Sequence, residues 1–315
     1  MMPAVDPEFA ERLAGAPMLL TALTREQLPD LRARMLAASR AAPLSDQVER
    51  TDITAPGPDG SPAVTLRVHR PKGAEGPLPC LYTLHGGGYV LGSHEVEDQR
   101  LDAWVRKLGV VGVAVDYRLA PETPYPGALD DCHAGLRWLI AHAVEVGVDP
   151  GRIGLMGTSA GGGLAAALAL RVRDHGEPPL AFQLLSYAMV DDRGVTGSSR
   201  WQDVPVWSPA SNNLGWRCYL GDLYGTARVP AEAAMARAGD LRGLPPTFIS
   251  VGTADVVCDE NIALAHTLLT CGVSTDLRVY AGGPHGMDRR ATDTALSRRS
   301  RRDMLDWLAA RLAAA

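Results

Sequence analysis

The amino-acid sequence predicts an α/β protein whose mostly parallel central sheet is covered by helices on both faces. Short, wholly apolar runs of strand length recur from Cys80 onward, and helix-length segments separate them. Strands apolar at every position are buried on both faces, as in a parallel sheet between helical layers. The length of 315 residues allows two domains, or one α/β core with insertions, at roughly 150 residues per domain.

The elements follow in order. Glu8–Ala14 and Arg25–Arg40 carry apolar residues at helical spacing (Leu28, Leu31, Met35, Leu36), with breaks at Pro17 and Pro43. After the turn Gly57-Pro58-Asp59-Gly60, the segment Ala63–His69 alternates as a strand. Cys80–Leu84, Val110–Asp116, Ile153–Met156, Ala181–Leu185, Pro246–Val251 and Thr275–Tyr280 read as strands. Gly135–Val146, Ala160–Arg173, Ile262–Cys271 and Arg298–Ala313 read as helices.

Residues 187–242 break this alternation. They hold Trp201, Trp207, Trp216, Tyr219 and Tyr224 in a chain with only 6 Trp and 8 Tyr. Two readings stand: a helical excursion with its own small core, or a lid lining an apolar pocket.

Composition excludes several classes. A hydrophobic share of 46% excludes a disordered chain, and 33 glycines without a period exclude a collagen-like one. A net charge of −5 leaves no basic footprint for nucleic acid. Five widely spaced cysteines (Cys80, Cys132, Cys218, Cys258, Cys271) without a CxxC pair argue against a disulfide framework or a zinc site, and fit a reducing cytoplasm. No stretch approaches the roughly 18 consecutive apolar residues of a membrane span, and the N-terminus lacks a signal-peptide pattern.

The strongest local signal is Gly157-Thr158-Ser159-Ala160-Gly161, placed after one strand and before a helix. A turn this tight holds its central residue at strained backbone angles, and side chains two positions away on either side would collide. Ser159 is thereby presented as a nucleophile beside a helix N-terminus, whose dipole favours developing negative charge. Read only as a helix entry, Ser159 would be an N-cap. A dinucleotide loop does not fit, because the glycines lack G-x-G-x-x-G spacing.

Upstream, His85-Gly86-Gly87-Gly88 follows a strand. Acyl transfer needs backbone N–H groups aimed at an oxyanion, and glycines let the backbone approach closely. A base and its acid should then follow Ser159 in chain order. His285, in Gly282-Gly283-Pro284-His285-Gly286, lies just past a strand, whereas His266 falls mid-helix and His175 at the far end of the elbow helix. Asp255 ends the preceding strand segment. Asp259 and Glu260 read instead as dipole-favoured acids of the next helix.

These motifs together resemble the hormone-sensitive-lipase-like family of α/β-hydrolases, the bacterial family IV esterases. The matching residues are His85-Gly86-Gly87-Gly88-Tyr89, Asp116–Glu122, Gly157–Gly162, Asp255 with Asp259-Glu260, and His285-Gly286. Thr158, where many members carry Asp, places the chain on the GTSAG branch. The resemblance implies an α/β-hydrolase fold with a helical cap, and catalysis by Ser159, Asp255 and His285. It implies oxyanion donors at Gly87, Gly88 and Ala160, with His85 and Gly86 supporting that loop. The Asp116–Glu122 segment is expected as a structural support whose charges pair with each other and with surrounding loops.

The family plan divides the chain into N-terminal cap helices (1–48), core (49–186), cap insertion (187–242) and core (243–315). Tyr89, Tyr187, Trp201 and Trp207 are the candidate pocket residues. The expected partner is a small-molecule ester of short to medium acyl chain. No metal, organic cofactor, nucleic acid or membrane span is expected, and a homodimer is the one assembly entertained. Lactone, amide and carbamate hydrolysis need the same groups and stay open. A second reading, a non-catalytic small-molecule receptor on this fold, is disfavoured because Ser159 and His285 are both present.

Overall fold

The computed structural model of the protein describes residues 3–14, 20–58 and 60–313, so Pro17 and Asp59 of the sequence reading lie outside the described residues. One eight-stranded sheet runs in the order β1-β2-β4-β3-β5-β6-β7-β8. Its strands are β1 (Val48–Ala55), β2 (Val64–Pro71), β3 (Leu78–Leu84), β4 (Val111–Asp116), β5 (Val148–Thr158), β6 (Phe182–Ser186), β7 (Thr247–Ala254) and β8 (Thr275–Pro284). β1 and β2 pair antiparallel, and β2 joins β4 antiparallel. Every other pairing is parallel.

The helices are α1 (Pro7–Leu13), α2 (Leu28–Ala41), α3 (Asp98–Leu108), α4 (Gly127–Ala141), α5 (Ala143–Val146), α6 (Ala160–Asp174), α7 (Pro209–Leu220), α8 (Cys258–Thr270) and α9 (Ala295–Ala313). The period-two geometry of strands explains the continuous apolar runs. In β3 and β4, Cys80, Tyr82, Leu84, Val111, Val113 and Val115 pack with α4, α6 and α8. Leu81 and Ala114 pack against α3 and α9 on the other face.

Some expectations are corrected. β1 was not anticipated: only its end residues Val48 and Ala55 are buried, so this edge strand has no apolar alternation. α3 was missed as well, because Asp98, Arg100 and Asp102 are buried on it beside Leu101, Trp104 and Val105. They are paired with Arg67, Asp288 and Arg50 respectively, so the buried face is partly charged and hides the helical period. α4 begins at Gly127, eight positions before the expected Gly135. It ends at Ala141, and Ala143–Val146 forms a separate short turn of helix. β8 reaches Pro284, which brings His285 directly to the sheet's C-terminal edge.

Residues 187–242 carry α7 and short 3-10 turns. They are tied to the N-terminal region. The Leu20 N–H donates to Val206 O at 2.9 Å, and the hydroxyls of Ser208 and Ser211 donate to Thr21 O and Leu20 O at 2.6 and 2.5 Å. Arg32 of α2 clamps to the body of the protein, donating to Val90 O and Ala120 O at 2.8 Å. Among the described residues, no helix is long and apolar enough to cross a membrane.

Candidate active site

Ser159 sits between β5 and α6 at φ 55° and ψ −122°, a conformation that an L-residue adopts only when its surroundings enforce it. They do so here. The Ser159 N–H donates to Ser186 O at 2.9 Å, and its carbonyl accepts from Gly163 and Met189 at 3.1 and 3.0 Å. A Cβ on Gly157 would lie 2.1 Å from Gly161 O, and one on Gly161 would lie 2.1 Å from Leu84 O. Both positions therefore require glycine.

Ser159 Oγ is 2.8 Å from His285 Nε2. His285 Nδ1 is 3.0 and 2.9 Å from the two carboxylate oxygens of Asp255. Asp255 is fully buried, and it also accepts from the Val257 N–H at 3.2 Å. An ionised carboxylate against Nδ1 fixes the proton there and leaves Nε2 to accept the seryl hydroxyl. Asp259 instead accepts from the Ser198 N–H at 2.8 Å, and Glu260 from the Val190 N–H at 3.0 Å. Burial pushes the Glu260 carboxyl well above the usual range. His266 is exposed on α8.

The glycine loop faces this group. Gly86, Gly87 and Gly88 line one cavity with Thr158, Ser159 and His285. A Cβ on Gly86 would lie 3.0 Å from Thr158 O. Among the described residues, the N–H groups of Gly87, Gly88 and Ala160 have no backbone acceptor outside regular structure. His85 is buried behind the loop, stacked on Tyr117 with centroids 4.1 Å apart. Its Nδ1 lies 2.8 Å from Gly86 O, and the Tyr117 hydroxyl donates to His85 O at 2.6 Å. Burial lowers the pKa of His85, which keeps the ring neutral.

The cavity measures about 370 Å³. Tyr187 and Trp207 line it, and their rings flank His285 at centroid distances of 4.8 and 6.0 Å. Tyr89 and Trp201 are not among its lining residues. Tyr89 turns into the core, stacked on Tyr219 at 3.9 Å, and donates to Met189 O at 3.1 Å. Trp201 packs on the edge of that core. Of the six aromatics in residues 187–242, Tyr187 and Trp207 line the cavity; Trp216 and Tyr219 fill core. The opposite wall is Leu20 with Met35, Ala38 and Ser39 of α2.

The Asp116–Glu122 charges do not pair with one another. Asp116 meets His94 at 3.1 Å, Arg118 meets Asp131 at 2.7 Å and Glu122 meets Arg32 at 2.9 Å. The segment thus ties β4 to α4 and α2. Sequence reasoning also missed a buried network beside the base. The Tyr187 hydroxyl donates to Asp288 at 2.6 Å, Arg100 donates to Asp288 at 2.5 Å, and Arg289 donates to Glu97 at 2.6 Å. An acid three residues after His285 was the available signal.

A parallel-sheet fold with a strained serine, an imidazole and a buried carboxylate in register at its edge defines an α/β hydrolase. Sequence comparison gives the family: residues 81–289 match the profile described as alpha/beta hydrolase fold, and the chain belongs to this family, the hormone-sensitive-lipase-like group. Carboxylesterase NlhH of Mycobacterium tuberculosis is 34% identical over 287 residues, covering 90% of this chain and 89% of the relative. Esterase LipI of the same organism is 33% identical, covering 90% and 88%. Among solved structures, a bacterial heroin esterase is 41% identical with a TM-score of 0.92, covering 98% of each chain. A thermostable esterase from Pseudomonas putida is 29% identical with a TM-score of 0.88, covering 99% of each chain. The protein is a carboxylic ester hydrolase.

Proposed function

We propose that Ser159, His285 and Asp255 are the catalytic triad of this esterase, with Gly87, Gly88 and Ala160 as oxyanion donors. The unbroken contact chain, 2.8 Å from Oγ to Nε2 and 2.9 Å from Nδ1 to carboxylate, carries the reading. Ser159 Oγ attacks the ester carbonyl as His285 Nε2 takes its proton. Asp255 holds the tautomer and stabilises the imidazolium. The backbone donors stabilise the tetrahedral oxyanion, each worth about 3–4 kcal/mol in comparable sites. His285 then protonates the leaving alcohol, and a water activated by the same imidazole releases the acid.

The substrate is an ester of short to medium acyl chain. A cavity of about 370 Å³ stands near the lower end of small-molecule sites. Residues 1–48 and 187–242 act as a split cap over a core of 49–186 and 243–315. Hydrogen bonds between Leu20–Leu23 and Val206–Ser211 support this division, as do wall residues drawn from both segments. The protein works in a reducing compartment, a reading supported by five free cysteines, four of them buried.

Ser159→Ala should reduce turnover of p-nitrophenyl butyrate to background with the melting temperature retained; wild-type rates in that variant would overturn the assignment. Across acyl chains, activity should peak at acetate to hexanoate. A steady rise to palmitate would contradict the pocket reading.

A further inference from the structure

A second set of chemistry-bearing side chains lies away from the ester site. His133 is on α4, His175 closes α6, and Glu177 follows two residues later. One ligand atom from each lies within 4.8 Å of the others. His133 Nε2 is 2.9 and 3.0 Å from the Glu177 carboxylate oxygens, and His175 Nδ1 is 3.8 Å from the nearer one. The imidazoles meet edge to face, with centroids 5.6 Å apart. Ligands at about 2.0–2.1 Å from one tetrahedral ion stand about 3.3 Å from each other. The two spacings to Glu177 bracket that value and the spacing between the imidazoles is at most 4.8 Å, so side-chain shifts of about an ångström bring the three atoms onto one ion.

The surroundings suit a cation. His175 is the C-cap of a 15-residue helix, its N–H donating back to Arg171 O at 2.9 Å. Carbonyls at such an end carry partial negative charge. The Glu177 N–H donates to Val172 O at 3.0 Å, which fixes the backbone that presents the carboxylate. Nearby Arg171 is held by two carboxylates, Asp130 at 2.7 Å and Glu232 at 2.8 Å, so it does not leave the patch positive. The His175 side chain is 53% exposed, which leaves an entry path and an open position for water.

We propose that His133, His175 and Glu177 form a surface site for a divalent transition-metal ion, clasping α4 to the C-terminal end of α6. Two imidazoles and one carboxylate select Zn²⁺, Ni²⁺, Co²⁺ or Cu²⁺ over the oxygen-seeking Ca²⁺ and Mg²⁺. The sequence reading expected no metal, and the separation of 42 positions from His133 to His175 explains why no ligand motif is visible. The ion takes no part in ester hydrolysis. Ser159 is at the opposite end of α6 from His175, about 24 Å away at 1.5 Å per residue. The ion's effect is therefore on stability, by mass action on the folded state.

The test uses full-length, chelator-treated protein, Zn²⁺ titration calorimetry and thermal melts. Wild type should bind one equivalent with a micromolar Kd. A hundredfold excess over Kd should raise Tm by about 5 °C, reversibly with EDTA. The exposed His175→Ala and the isosteric Glu177→Gln should each lose that equivalent and the Tm shift. His266→Ala, on exposed α8 surface, should keep both. The kcat for p-nitrophenyl butyrate should stay within twofold with and without Zn²⁺. Absence of Zn²⁺ binding by wild type would overturn the proposal, as would unchanged binding in the two ligand variants or a kcat that follows Zn²⁺ occupancy.

Discussion

Replacing Gly88 with alanine tests the oxyanion loop where it packs against the Trp207 ring. A Cβ there would stand 2.4 Å from Cη2 and 2.7 Å from Cζ2 of Trp207. Ordinary carbon contacts are about 3.5–4.0 Å, so loop and ring must separate by about 1.1 Å or more. The ring cannot simply swing away: the Trp207 Nε1–H donates to Asn212 Oδ1 at 3.0 Å, and the residue is buried. The backbone is constrained too, because φ of +61° costs a residue with a Cβ about 1–2 kcal/mol. The loop moves instead, and its N–H groups leave their aim. Losing one oxyanion donor costs roughly 10²–10³ in kcat, about 2.7–4 kcal/mol. Overpacking lowers stability by a further ~1–3 kcal/mol. Steady-state kinetics on p-nitrophenyl butyrate should show kcat reduced by that factor with KM nearly unchanged, since the donor acts on the transition state. Urea unfolding should confirm a folded protein. Adding Trp207→Leu should recover part of the loss, because it removes the clash and leaves the backbone strain. A folded Gly88→Ala variant with kcat within threefold of wild type would refute the reasoning.

Asp255→Asn should lower kcat by about 10⁴ through the wrong imidazole tautomer, measured at saturating ester; near-normal kcat would remove Asp255 from the relay. Arg118→Ala leaves the buried Asp131 carboxylate with the residue-118 backbone N–H but no cation and should cost about 1.5–3 kcal/mol in urea unfolding, with Asp131→Asn restoring part in the double variant. The buried Glu260 carboxyl has its pKa raised by desolvation, so the folded state holds that proton more tightly than the unfolded chain. Its contribution is fully present below the unfolded value near ~4.3 and is lost as pH rises through the folded value. Glu260→Gln should therefore gain stability relative to wild type between pH 5 and pH 8, read from paired urea curves; a constant difference would contradict the shift.

The motifs legible in the sequence were those in which backbone geometry restricts the residue. Gly157 and Gly161 have no room for a Cβ, and a serine between them, placed after a strand and before a helix, reads as an elbow. Asp255 and His285 were legible from their places at strand ends, because parallel strands deliver their C-terminal ends to one edge. Contacts that depend on tertiary partners were not legible. Tyr89 follows the glycine loop and reads as pocket, yet its ring stacks on Tyr219, 130 positions away. Arg100 carries no motif, and only the fold brings Asp288 to it from the base loop. The α2 wall of Met35, Ala38 and Ser39 carries no motif, since an apolar surface facing a cavity looks like one facing a core.

The central claim, nucleophilic catalysis by Ser159, is tested most directly by intact-mass and peptide mass spectrometry after treatment with a p-nitrophenyl phosphonate ester. One adduct per chain should appear on the peptide carrying Ser159, in step with loss of esterase activity, and none on Ser159→Ala. An adduct on another residue, or complete inactivation with Ser159 unmodified, would contradict the account.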